Sequence, residues 1–139
     1  MACALESAKF SLSEVKLGLL PAVISPFVSK KVIPGEAKRY FLTSEKFDAN
    51  EAKRIGLISE VAKDENELDN KINHWISAIL SGGPEAITVC KKMITDVSSM
   101  DLDEALEVTS KEIAQRRVSK EGQEGIKAFL EKRSPSWIK

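Results

Sequence analysis

The sequence predicts a mainly helical fold with short β segments, and three observations carry that expectation. From Asp64 onward, apolar residues recur at helical spacing through four successive stretches. Three helix starts are written as Asp-x-x-Glu, at Asp48–Glu51, Asp64–Glu67 and Asp101–Glu104, the pattern of a capping box. Outside the N-terminal stretch, period-2 alternation competes with helix at one place only, Leu57 to Val61.

Taken in order, Ile24 to Val32 can form a short helix with Phe27 and Val28 turned inward. Pro34 to Thr43 forms a second, because proline suits a first helical turn, where its missing N–H is not needed. Asp48 caps a two-turn helix over Ala49 to Ile55, with Phe47 and Ala52 as hydrophobic staple and Gly56 as a left-handed C-cap. Leu57 to Val61 reads as a strand. Asp64 then opens a helix along which Leu68, Ile72, Trp75, Ile76 and Ile79 share a face until Gly82-Gly83. Gly83-Pro84-Glu85 opens the next, striped by Ala86, Ile87, Cys90, Met93, Ile94 and Val97 with Lys91 and Lys92 outside. Asp101 caps a third, stapled by Met100 and lined by Leu102, Ala105, Leu106, Thr109 and Ile113. The last runs from about Lys120 to Lys132, with Ile126, Phe129 and Leu130 inward and Pro135 beyond it.

Composition narrows the function classes. The 139 residues suffice for one domain with a real core, and 42% hydrophobic with 30% charged is ordinary for a soluble globular protein. Acidic and basic residues both total 21, so no charge run points to nucleic acid or an anionic membrane as partner, and a neutral surface favours self-association. Cys3 and Cys90 imply no disulfide framework and lack metal-ligand company, which suggests a reducing compartment, the cytoplasm. The single His74 rules out a histidine cluster. The N-terminus has no basic region before an apolar core, and the longest apolar run, Leu17 to Val28, is broken by Gly18, Pro21 and Pro26, far short of the ~20 residues that span a bilayer.

The chemistry is expected in Phe10 to Val28. One carboxylate, Glu14, stands there between Leu12 and Val15 and before the apolar run. A solvated residue on a turn is the alternative, but a carboxyl held in an apolar cleft has its ionised form destabilised and can give and take protons near neutrality.

These residues also carry a resemblance. The pattern A-K-F-S-L-S-E-V-K-L-G-L-L-P-A, then F-L-T-S-E-K-F-D-A-N-E-A-K-R-I-G-L-I-S-E-V, then E-G-I-K-A-F-L-E-K-R resembles the crotonase family of enoyl-CoA hydratases and isomerases. The blocks follow the family's order and spacing and span nearly the whole chain, yet they match only the second half of a crotonase subunit. The resemblance implies the C-terminal half of a crotonase-like α/β fold. Residues 1–62 would be a remnant of the core carrying Glu14, and 63–139 a helical oligomerisation region. In the family a longer segment precedes S-A-K-F, so Met1 to Ala4 read as a shortened strand and the first five residues are given no weight.

It further implies an enzyme, a lyase that hydrates an α,β-unsaturated enoyl-CoA thioester. Crotonases hold the thioester carbonyl oxygen between two backbone N–H groups, and hydratases place two glutamates around one water. Glu14 matches the second of these glutamates. The first lies in a G-G-x-x-E-like segment that would precede Met1, together with one oxyanion donor, and the other donor lies earlier still. Removing even one such donor commonly costs ~10²–10³ in rate, so this chain alone is expected to be inactive or nearly so. Phe129 and Lys132 match positions that hold the CoA adenine and phosphate, and Leu20, Pro21 and Phe27 would line the acyl pocket. No metal and no cofactor are expected, CoA being part of the substrate. The expected partners are an acyl-CoA thioester and further copies of the chain, as a trimer or dimer of trimers. Where straight-chain hydratases carry a G-G-T-Q-like run, Pro21 to Phe27 stands instead, resembling the branch that acts on methylglutaconyl-type or isoprenoid-derived enoyl-CoA esters.

From the residues alone, Phe129 reads as core and Lys132 as solvated. His74 reads as a surface residue, Cys90 as a small hydrophobe and Lys91-Lys92 as a solvated face. A self-contained helical bundle, a non-catalytic assembly module and an isomerase remain open alternatives.

Overall fold

The computed structural model describes residues 1–138, which fall into two compact units, Met1–His74 and one from Trp75 onward. The first unit holds all four strands found among the described residues. Cys3–Leu5 (β1) pairs in parallel with Glu60–Ala62 (β4), in the register Cys3 to Glu60, Ala4 to Val61 and Leu5 to Ala62. Lys9–Phe10 (β2) pairs antiparallel with Phe47–Asp48 (β3). The opening residues, given no weight from sequence, are thus a strand with a partner.

Between β2 and β3 lie a 3-10 turn, Glu14–Leu17, and two helices, Ser25–Lys31 (α1) and Pro34–Thr43 (α2), both with proline in the first turn. The helix Ala49–Arg54 (α3) starts at Asp48, whose Oδ1 accepts the Glu51 N–H at 2.9 Å. The return half of that capping box does not form, because the Glu51 carboxylate turns instead to Tyr40 and Arg54. Gly56 ends the helix at φ 86°, as expected. The strand predicted over Leu57 to Val61 starts later. The N–H groups of both Leu57 and Ile58 donate to the Ala52 carbonyl and close the end of α3, which leaves the ladder to begin at Glu60.

The core of this unit gathers Val28 and Val32 around α1, Ala37 and Tyr40 of α2, Phe47, and Ala49, Ala52, Ile55 and Ile58. Alanine on the buried side of α3 lets that helix sit close, and Phe10 and Phe47 stack with ring centroids 5.6 Å apart. Phe27, expected inward, is 73% exposed, and Pro21 and Val28 take the buried places in its stretch.

Glu65–Leu80 (α4) runs out of the first unit. Its start is a modified box: Asp64 accepts the Glu67 N–H at 2.8 Å, while the Glu67 carboxylate accepts from Lys63 N–H, one residue before the cap. The second unit adds Pro84–Val97 (α5), Leu102–Val118 (α6) and Lys120–Leu130 (α7). Asp101 and Ser119 cap α6 and α7 through the Glu104 and Gly122 N–H groups. Gly83 cannot cap α5 with a side chain. The Glu121 carboxylate on α7 does so instead, accepting the Glu85 and Ala86 N–H groups at 2.9 and 2.8 Å, and a Cβ at Gly83 would collide with it.

The apolar stripes of the second unit exist as predicted but are not covered. Ile94, Leu102, Leu106, Ile113, Phe129 and Leu130 are all more than half exposed, and Ala128 is the one buried hydrophobic among the described residues of this unit. Ile126, Phe129 and Leu130, expected inward, face outward. A helix pattern specifies which face seeks cover, not whether the same chain supplies it.

Candidate functional site

Glu14 opens the 3-10 turn. The turn is closed by Gly18 at φ 70°, a left-handed conformation suited to a residue without Cβ, whose N–H returns to the Glu14 and Val15 carbonyls. Leu19 N–H adds a further bond to the Glu14 carbonyl at 3.1 Å. The turn packs against α2. Glu14 as a residue is half-buried, but its Oε2 is shielded from solvent and has no hydrogen-bond partner among the described residues. A carboxylate oxygen in that position costs free energy unless a donor reaches it. Ser44 Oγ is the other side-chain atom in this condition. Ser44 ends α2 at φ 52°, is 1% exposed, and its carbonyl accepts from Ser11 Oγ at 3.5 Å.

Just ahead of Glu14 in the chain, Phe10 and Leu12 wall an apolar cleft of about 270 Å³, with Ile24, Val28, Phe47 and Leu57 among its other walls. Leu20, Pro21 and Phe27 do not line it. Pro21 is buried, while Leu20 is 71% exposed. In the second unit Phe129 lies in the last turn of α7 and is 82% exposed. Lys132, at φ 53°, follows in the turn closed by its own N–H to the Phe129 carbonyl.

A polar network in this unit leaves no trace in the sequence. The Tyr40 hydroxyl, inside the core, donates to Glu51 Oε1 at 2.7 Å, and Arg54 clamps Glu51 from Nε at 2.6 Å and Nη2 at 2.7 Å while also bonding Glu36 at 2.5 Å. Arg54 first, and Tyr40 second, hold the Glu51 carboxyl at about 2, well below the usual range; burial pushes the Tyr40 hydroxyl up. In the sequence Glu51 reads as a capping-box residue, and nothing there points to this second role. Among the described residues no group of three or more His, Cys, Asp or Glu could hold a metal ion.

Similarity to known proteins assigns the class. Solved structures superpose on the whole chain: an enoyl-CoA hydratase from Shewanella pealeana at TM-score 0.89 and 43% identity, covering 99% of this chain and 51% of that one, and an enoyl-CoA hydratase/isomerase from Marinobacter aquaeolei at TM-score 0.95 and 31% identity, covering 100% and 53%. The fold is therefore crotonase-like. A crotonyl-CoA hydratase of Syntrophomonas wolfei is 32% identical over 136 residues, which are 97% of this chain and 52% of that protein. The family model described as enoyl-CoA hydratase/isomerase matches residues 1–139, and the chain belongs to that family. It spans about half the length of the curated relatives it matches.

Proposed function

We propose that this chain contributes one catalytic carboxylate, Glu14, to the hydration of an enoyl-CoA thioester. The observation that carries the reading is the shielded Glu14 Oε2 with no donor of its own. An acceptor in that condition is suited to a proton carried by water or by the α-carbon of a bound thioester. Water adds across the double bond: its oxygen bonds to the β-carbon while a carboxylate takes the proton that the water loses, a carboxyl gives a proton to the α-carbon, and the carboxyl groups together end with the protons they began with. Glu14 is assigned the proton at the α-carbon.

Phe129 and Lys132, exposed at the end of α7, would take the CoA adenine and phosphate, and the exposed Leu20 and Phe27 would close over the acyl chain. The exposed stripes of α5, α6 and α7 support self-assembly of the chain into a trimer or a dimer of trimers. They equally favour a second reading, an assembly module without turnover. The reaction draws on no cofactor, CoA being part of the substrate. No helix of the described residues is long and apolar enough to cross a membrane, and the unpaired Cys3 and Cys90 suit a cytoplasmic setting.

The test is hydration of crotonyl-CoA and 3-methylglutaconyl-CoA, followed by loss of conjugated thioester absorbance, with mass read by light scattering. The chain and its Glu14→Gln variant are compared alone and after mixing with the portion of the Shewanella pealeana protein that has no counterpart here. Turnover by the mixture that disappears with Glu14→Gln supports the assignment. Turnover that persists in the variant removes Glu14 from the chemistry, and a defined homo-oligomer that never turns over favours the assembly module.

A further inference from the structure

Lys132 holds a backbone conformation that a side chain disfavours. It lies just beyond α7 at φ 53°, in the left-handed region where helix ends usually place glycine. The turn is a complete Schellman motif: the Lys132 N–H donates to the Phe129 carbonyl at 3.2 Å, and the Arg133 N–H to the Ala128 carbonyl at 3.0 Å. A residue other than glycine persists there only when its surroundings fix it.

Glu124 on α7 supplies the fixing. Its two carboxylate oxygens accept from Arg133 Nη1 at 2.7 Å and Nη2 at 2.9 Å, a parallel fork, and Oε1 also accepts the Ser136 N–H at 2.9 Å. The helix therefore holds the near side of Lys132, and Glu124 holds the far side. Trp137 continues the anchorage, its Nε1 donating to the Ser81 carbonyl at 3.2 Å. Charge is divided unequally between the two neighbouring cations. A guanidinium is the better fork for a phosphate, but carboxylates take the Arg133 Nε and both Nη nitrogens, Glu131 accepting from Nε at 2.7 Å. Lys132 makes no ion pair among the described residues, while Arg133 makes two.

We propose that Glu124 is a positioning residue: through its fork to Arg133 it holds the left-handed turn and aims the Lys132 ammonium at the 3′-phosphate of CoA, keeping the Arg133 guanidinium out of that contact. The 3′-phosphate fits because it is a terminal monoester with three free oxygens, beside the adenine assigned to Phe129. The inference rests on the reading of Lys132 as the phosphate cation and adds what holds that cation in place.

The test measures the affinity of the full chain for CoA and for 3′-dephospho-CoA by titration calorimetry, with circular dichroism as the check on folding. The parent should bind CoA more tightly, and Lys132→Gln should abolish that preference. Glu124→Gln should cut the preference by about tenfold, the worth of one hydrogen bond to a charged group, and leave affinity for 3′-dephospho-CoA unchanged. The direction is diagnostic, because losing an anion near the phosphate would by charge alone strengthen CoA binding. Arg133→Lys keeps the charge, loses the fork and should cut the preference alike. In the Lys132→Gln background, Glu124→Gln should change nothing further. An unchanged or larger preference in Glu124→Gln, beside an effective Lys132→Gln, overturns the inference alone. Equal loss for both ligands, or loss of the parent's circular dichroism in both Glu124→Gln and Arg133→Lys, makes Glu124 structural and overturns it too. A parent without preference, or a Lys132→Gln variant that keeps it, removes the reading of Lys132 as the phosphate cation and the inference with it.

Discussion

Replacing Tyr40 by phenylalanine isolates one bond. The Tyr40 ring packs on Phe47 with centroids 4.3 Å apart, and Tyr40→Phe keeps that contact and removes only the hydroxyl that donates to Glu51 Oε1 at 2.7 Å. A hydrogen bond to an ionised group contributes ~1.5–3 kcal/mol. Glu51 remains clamped by Arg54 from two nitrogens, so its carboxylate is not orphaned and the loss belongs at the lower end, about 1.5 kcal/mol. The pH dependence gives the sign. The Glu51 carboxyl is depressed to about 2 in the folded chain from an ordinary 4.5. Its contribution is therefore complete above about pH 4.5 and is lost as pH falls through 2. Tyr40→Phe removes a bond that favours the ionised form, raises the folded value, and costs most at neutral pH. Urea unfolding followed by far-ultraviolet circular dichroism should show the full difference at pH 7. It should shrink towards the ~0.5–1 kcal/mol of a neutral bond near pH 2. An equal loss at both pH values, or none at pH 7, would refute the reasoning.

Three further substitutions probe the scaffold by the same unfolding assay. Gly56→Ala should destabilise by ~1–2 kcal/mol, because φ is 86° and the new Cβ would meet the Lys31 carbonyl at 3.0 Å. Ser44→Gly should stabilise by ~1 kcal/mol, since it relieves a left-handed residue at φ 52° and removes a buried hydroxyl with no partner. Glu121→Ala frees the two N–H groups at the start of α5 and should cost ~1–2 kcal/mol. Hydrogen exchange at Glu85 and Ala86 should quicken in the same variant, and unchanged exchange there would mean that the cap lies elsewhere.

The elements legible in the sequence were those whose signals are local. Asp48 and Asp101 accept the N–H three residues on, Pro34 opens α2 and Gly56 closes α3, because caps and turns are written in adjacent residues. Of the candidate site, the sequence shows Glu14 among apolar neighbours, and the structure shields its Oε2. Features made by residues far apart were not legible. Glu121 capping α5 spans 35 and 36 residues, Tyr40 to Glu51 spans 11, and the pairing of β1 with β4 spans more than fifty, so none leaves a periodic trace.

By itself the sequence determined the helical order, the cap residues, the apolar stripes and the place of the carboxylate, since each follows from short-range backbone preference and the 3.6 period. Only the tertiary structure decided which stripes are covered. Periodicity requires that Val28, Tyr40, Ile55 and Phe129 share faces with other apolar residues, but whether a face is buried depends on what stands opposite it. The first three meet one another in a core, whereas Phe129 is left 82% exposed. Burial is a property of two surfaces, and a stripe in the sequence describes one.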